Sequence, residues 1–87
     1  MSLKILRRAE KQIRKLPKTV QISIGQQLRE LLSGGPHTEK KLQKFEHLYR
    51  IRVGSYRVVY EKKDGDIYVL LAEHRKDVYQ SVERLFG

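Results

Sequence analysis

The segment Tyr49-Arg50-Ile51-Arg52-Val53-Gly54-Ser55-Tyr56-Arg57-Val58-Val59-Tyr60 places three arginines at alternating positions around a Gly-Ser pair. A guanidinium group stays charged at any physiological pH and offers a planar fork of donors that matches a phosphate. The segment is therefore suited to hold an anion. Farther along come His74, Arg75 and Tyr79. Arg75 could add a fourth cation, and imidazole is the side chain that changes charge nearest neutral pH. A tyrosine among cations can stack on a base, donate a hydrogen bond or act as a base. Arginine cannot give up its proton, so positions 50 and 52 can bind and neutralise but not deprotonate.

These residues need a sheet to position them. Period-two patterning predicts strands over 48–53, 56–62 and 66–73, with two-residue hairpin turns at Gly54-Ser55 and Asp64-Gly65. With that first turn, Arg52 pairs with Arg57, Ile51 with Val58 and Arg50 with Val59. One face then carries Tyr49, Ile51, Val53, Tyr56, Val58, Tyr60, Val69 and Leu71. The other carries Arg50, Arg52, Arg57, Val59, Glu61, Tyr68, Leu70 and Ala72, and an unbroken register sets Arg57 opposite Ala72. Like charges facing each other across a ladder are destabilising, so a bound anion would turn a cost into charge-assisted hydrogen bonds. The plainer alternative is three solvated surface arginines. Glu61 reads as a salt-bridge partner, with acid–base work a remote alternative.

Around the strands, apolar residues at 9, 13 and 16 predict a helix over 7–16, ended or followed by Pro17. Val20, Ile24, Leu28 and Leu31 predict a second helix that stops at Ser33-Gly34-Gly35-Pro36, and close packing against the first helix would explain Gly25 within it. Residues 37–47 are polar and read as mostly loop. Asp77 and Gln80 suggest a capping box for a last helix that packs through Val78, Val82, Leu85 and Phe86. Leu3-Lys4-Ile5 is a weak strand signal. The expectation is a single α+β domain over 1–87. An N-terminal helical hairpin packs on a small antiparallel β-sheet, a three-stranded meander with Leu3–Ile5 as a further edge strand, and a short C-terminal helix follows.

Nineteen Lys and Arg against ten Asp and Glu give 87 residues a net charge of +9, which favours an anionic partner, nucleic acid first. The chain lacks cysteine, which fits a reducing cytoplasm, and it shows neither a signal peptide nor a membrane span. His37, His47 and His74 lack metal-ligand spacing, and His37 and His47 receive no role. No metal or small-molecule cofactor is expected.

The stretch from Tyr49 to Tyr60, then Val69-Leu-Leu-Ala-Glu-His-Arg-Lys-Asp-Val-Tyr79, resembles the RelE-type toxins of toxin–antitoxin pairs. Lys15-Leu-Pro-Lys18 and Lys41-Leu42 agree with it. The resemblance implies a ribosome-dependent endoribonuclease that cuts mRNA in the ribosomal A site. Its partners would be mRNA, the ribosome and an antitoxin protein that wraps around it. By position it implies RNA binding by Arg50 and Arg52, and catalytic roles for Arg57, Arg75 and Tyr79, with His74 the acid–base candidate. The family is described with lysines where this chain has Arg50 and Arg52. Two other readings stay open: a ParE-like inhibitor of DNA gyrase, and an RNA-binding domain without catalysis.

Overall fold

A computed structural model of the chain describes residues 2–34 and 38–87, so Gly35, Pro36 and His37 of the predicted stop and loop lie outside the described residues. Eight elements follow in order: β1 (Leu3–Ile5), α1 (Arg7–Arg14), α2 (Lys18–Leu32), β2 (Lys40–Lys41), β3 (Leu48–Val53), β4 (Tyr56–Lys63), β5 (Asp66–His74) and α3 (Val78–Phe86). The strands form one sheet in the order β1-β5-β4-β3-β2. The meander and the edge strand at Leu3–Ile5 are as expected. The sheet is mixed rather than purely antiparallel, because β1 joins β5 in parallel. Two helices and three strands separate β1 from β5, a connection long enough for either direction of pairing. The segment expected to be loop contributes β2, whose Lys40 pairs with Arg50 and Lys41 with Tyr49.

Both predicted turns form. Gly54 has φ 60, as a type II′ hairpin requires at its first position, and Asp64 and Gly65 (φ 53 and 83) supply the two positive angles of type I′. The β3–β4 register matches the expected one at every pair. The β4–β5 register does not. After Tyr60↔Val69 the ladder resumes at Val59↔Leu71, which leaves Leu70 as the extra residue of a β-bulge. From there every side chain of β5 changes face. Ala72 joins the core under α1 and α2, Leu71 faces the opposite side, and Arg57 stands opposite Glu73 instead of Ala72.

The sheet is covered on both faces. Helix α1 lies on β5 and α2 on β3. Ala9, Ile24, Leu28 and Leu31 meet Ile51, Val53, Val58, Tyr60, Ile67, Val69 and Ala72. On the other side α3 brings Val78, Val82 and Leu85 against Leu48, Val59, Leu70 and Leu71. The face expected to present arginines between apolar and aromatic residues is half core, and the arginines occupy its margin. Each large aliphatic side chain buried in either core contributes about 1.5–3 kcal/mol.

Three local expectations are corrected. A Cβ on Gly25 would meet nothing within 4 Å, so helix–helix packing does not account for that glycine. Asp77 precedes α3 but its side chain makes no cap hydrogen bond, since its backbone is already near-helical at φ −108, ψ −26. Phe86 is largely exposed, because Val78, Val82 and Leu85 already fill the stripe that faces the sheet.

Candidate functional site

The hairpin turn at Gly54-Ser55 organises one half of the site. Arg52 and Arg57 face each other across β3 and β4. Arg52 is exposed, whereas Arg57 is half-buried and turns its Nη1 onto the carbonyls of Gly54 (3.1 Å) and Tyr56 (3.0 Å). From the far side, the Arg75 N–H donates to the Ser55 carbonyl at 2.8 Å and ties the β5–α3 turn to the hairpin tip. Arg75 is exposed there. The sheet thereby gathers Arg52, Arg57 and Arg75 around one turn.

The second half is a groove between β2, the loop after it and α3. A cavity of about 380 Å³ is lined by Lys40, Lys41, Lys44, Phe45, Arg50 and Tyr79, among others. Half-buried Arg50 donates through Nη1 to the Thr38 carbonyl at 2.8 Å, which fixes the guanidinium at the groove wall. Thr38 also accepts the Arg52 N–H on its hydroxyl at 2.9 Å, extending the β2–β3 edge. Tyr79, the second residue of α3, is 45% exposed, clear of the Val78/Val82 stripe. The phenol ring therefore lines an open, cationic groove.

His74, the residue before Arg75, lies at the same end of the sheet but on its other face. It is the ladder partner of Tyr56 and packs against that ring edge-on, with centroids 5.6 Å apart, on the α2 side of the sheet. Its Nδ1 accepts the Lys76 N–H at 3.1 Å. The bulge brings it there. His47 is exposed in the loop before β3. Glu61 is half-buried, at the Tyr68 end of the same ladder, remote from the hairpin tip. Among the described residues, no group of three His, Asp or Glu side chains stands close enough to hold a metal ion.

Sequence reasoning missed the lysines of the groove. Lys40 shares a face with Arg50 as its ladder partner, yet a two-residue strand carries no alternation to reveal it. It also missed a network anchored on a buried tyrosine beside β3. There Tyr60, fully buried, donates its hydroxyl to Glu39, and Glu39 pairs with Lys62 at 2.8 Å. Lys62 sits 4.4 Å over the Tyr49 ring, which in turn stacks on Tyr60. Burial alone would raise the Glu39 carboxyl, but the hydrogen bonds from Lys62 and Tyr60 outweigh it and hold that carboxyl below its ordinary value. Burial, reinforced by Glu39, pushes the Tyr60 phenol well up. This network anchors Glu39 next to β2 and so holds up the groove wall.

A model of the family described as "ParE toxin of type II toxin-antitoxin system, parDE" matches residues 3–79. Among solved structures, the isolated RelE toxin of E. coli is similar over 97% of both chains, at 30% identity and a TM-score of 0.73. A chain of the RelB-RelE antitoxin-toxin complex from Methanococcus jannaschii is 25% identical. There the match covers 86% of this chain and 93% of that one, with a TM-score of 0.75. The E. coli RelBE complex matches at 30% identity over 83% of this chain and 93% of that one, with a TM-score of 0.73. A comparison of the sequence with curated proteins gives no match.

Proposed function

Since the chain belongs to the RelE/ParE superfamily of type II toxin–antitoxin toxins and is of the RelE type, we propose that it is an endoribonuclease that cuts mRNA in the ribosomal A site. An antitoxin protein restrains it, as RelB accompanies RelE in the E. coli and M. jannaschii complexes. Its place of work is then the cytoplasm, where ribosomes are. No helix among the described residues is long and apolar enough to cross a membrane.

The observation that carries this reading is the pairing of Arg52 with Arg57 at a turn that Arg75 also reaches. Cleavage requires the 2′-oxygen of the RNA to lose its proton and attack the neighbouring phosphorus. The bond from phosphorus to the 5′-oxygen then breaks and that oxygen takes up a proton, leaving a cyclic phosphate and a free hydroxyl. The phosphorane between carries extra negative charge, and fixed cations beside it supply what is often the largest catalytic term. Arg57 and Arg75 take that role, while Arg50 and Arg52 bind the flanking backbone. Tyr79, open to the groove that Arg50 walls, stacks on a base or handles a proton. His74 points to the Tyr56 side and drops out of the scheme.

One observation favours a second reading, because the matching family model is described by ParE. Primer extension on cellular mRNA after induction without antitoxin separates the readings. Cuts within translated codons, abolished by Arg57→Ala, are expected. Intact message accompanied by DNA damage would instead identify a gyrase inhibitor, and neither effect would leave an RNA-binding domain.

A further inference from the structure

The bulge that sets Arg57 opposite Glu73 creates a conflict. Directly paired residues on an antiparallel ladder share a face, with Cβ atoms about 4.5–5.5 Å apart. A carboxylate at that spot can close an ion pair with the guanidinium and cancel the charge that would attract a phosphate. Among the described residues no such pair exists, because the Glu73 carboxylate is engaged elsewhere. One oxygen accepts the Gln12 side-chain N–H at 2.7 Å and the other accepts the Ser81 hydroxyl at 2.6 Å. The arrangement is directional. Gln12 Oε1 accepts the Ala72 N–H at 2.8 Å, and a backbone N–H can only donate, so the amide nitrogen of Gln12 must face Glu73. The Ser81 hydroxyl gives its single proton to Glu73 while accepting from Arg84 at 3.4 Å, and Ser81 is itself buried in α3.

We propose that Gln12 and Ser81 hold the Glu73 carboxylate away from Arg57 and so keep Arg57 available for an RNA phosphate. Gln12, Glu73 and Ser81 are positioning residues that act through Arg57, and the inference rests on the reading of Arg57 as a phosphate ligand. It also gives α1 and α3 a part in the site, although neither helix contributes Arg57.

The test is binding of the purified 87-residue chain to a short fluorescein-labelled single-stranded RNA, followed against salt concentration. Arg57→Ala checks the underlying reading first: weaker binding with a shallower salt dependence supports it, and unchanged binding refutes that reading rather than the positioning. The double variant Gln12→Ala with Ser81→Ala frees the carboxylate. It is expected to bind about three- to tenfold more weakly, with a log–log salt slope shallower by about 0.7, the signature of one lost phosphate contact on a single strand. Adding Glu73→Gln restores both affinity and slope, whereas Glu73→Gln alone changes binding by less than about twofold, a coupling that independent sites would not show. A loss that Glu73→Gln does not rescue overturns the inference. So does a Glu73→Gln gain that is equal in both backgrounds. If circular dichroism shows that the double variant does not fold, Ser81→Ala with and without Glu73→Gln carries the comparison. Weakening rescued by the second change supports the inference, and no weakening overturns it.

Discussion

Arg52 and Arg57 are direct ladder partners, and neither has a carboxylate partner among the described residues. The pair is a standing repulsion in the free protein, relieved by whatever anion lies between the two groups. Arg52→Thr removes the repulsion and places a β-branched residue on a strand. Urea unfolding at low ionic strength is expected to show a gain of about 0.2–1 kcal/mol, while inhibition of a cell-free translation reaction weakens. A loss of stability would mean that the repulsion is already solvated away.

The Tyr60–Glu39–Lys62 network sets a pH window. Glu39 has a lowered value in the folded chain, so its contribution is present above the ordinary carboxylate range and is lost as pH falls through the lowered one. Tyr60 is raised, so its contribution persists below the ordinary phenol range and fades as pH climbs past it. Denaturation midpoints should therefore fall at both extremes. Glu39→Gln should flatten the acid limb. Tyr60→Phe, which strips a half-buried carboxylate of its donor, should cost about 1–3 kcal/mol near neutrality.

Gly25 sits in α2 with open space where a side chain would go. Gly25→Ala should stabilise the chain by about 0.5–1 kcal/mol through helix propensity. Thermal unfolding checks this directly, and a fall in midpoint would reveal a contact that the geometry does not show.

Tyr79 is exposed enough that Tyr79→Phe should leave stability within about 0.5 kcal/mol. If the hydroxyl handles a proton, cleavage on programmed ribosomes should drop by about a hundredfold or more, with RNA affinity retained. Equal cleavage by the Phe variant would reduce Tyr79 to a stacking surface, and Tyr79→Ala would then cost about 1–3 kcal/mol of binding.

The β3–β4 hairpin was legible because Arg50, Arg52 and Arg57 alternate with apolar residues about a Gly-Ser turn, and period two admits only one register there. The strand after it was not. Val69-Leu70-Leu71-Ala72 is apolar throughout, so nothing marks where a residue has been slipped in, and both faces accept whichever phase results. That one inserted residue carried Ala72 and Glu73 to the faces opposite those the alternation implied. It also hid the second core, since Leu71 and Val59 look alike whether covered by a helix or not. The edge strand β2 escaped for a different reason. Two lysines pair with β3 through the backbone alone, and hydrogen bonding leaves no trace in side-chain type.

The parallel pairing of β1 with β5 sets an order of events during synthesis. Ser2 and Asp66 are 64 positions apart, yet Asp66 accepts both the Ser2 N–H and its hydroxyl, beside the Leu3↔Ile67 pair. Closing so long a loop carries an entropic cost that only the finished sheet can offset. Since β5 occupies the interior of that sheet, between β1 and β4, a nascent chain cannot complete either core before β5 has left the exit tunnel. Arg57 lacks its neighbour strand until then, and Arg75 lacks its turn. The surroundings of Arg57 and Arg75 are thus the last part of the sheet to take shape.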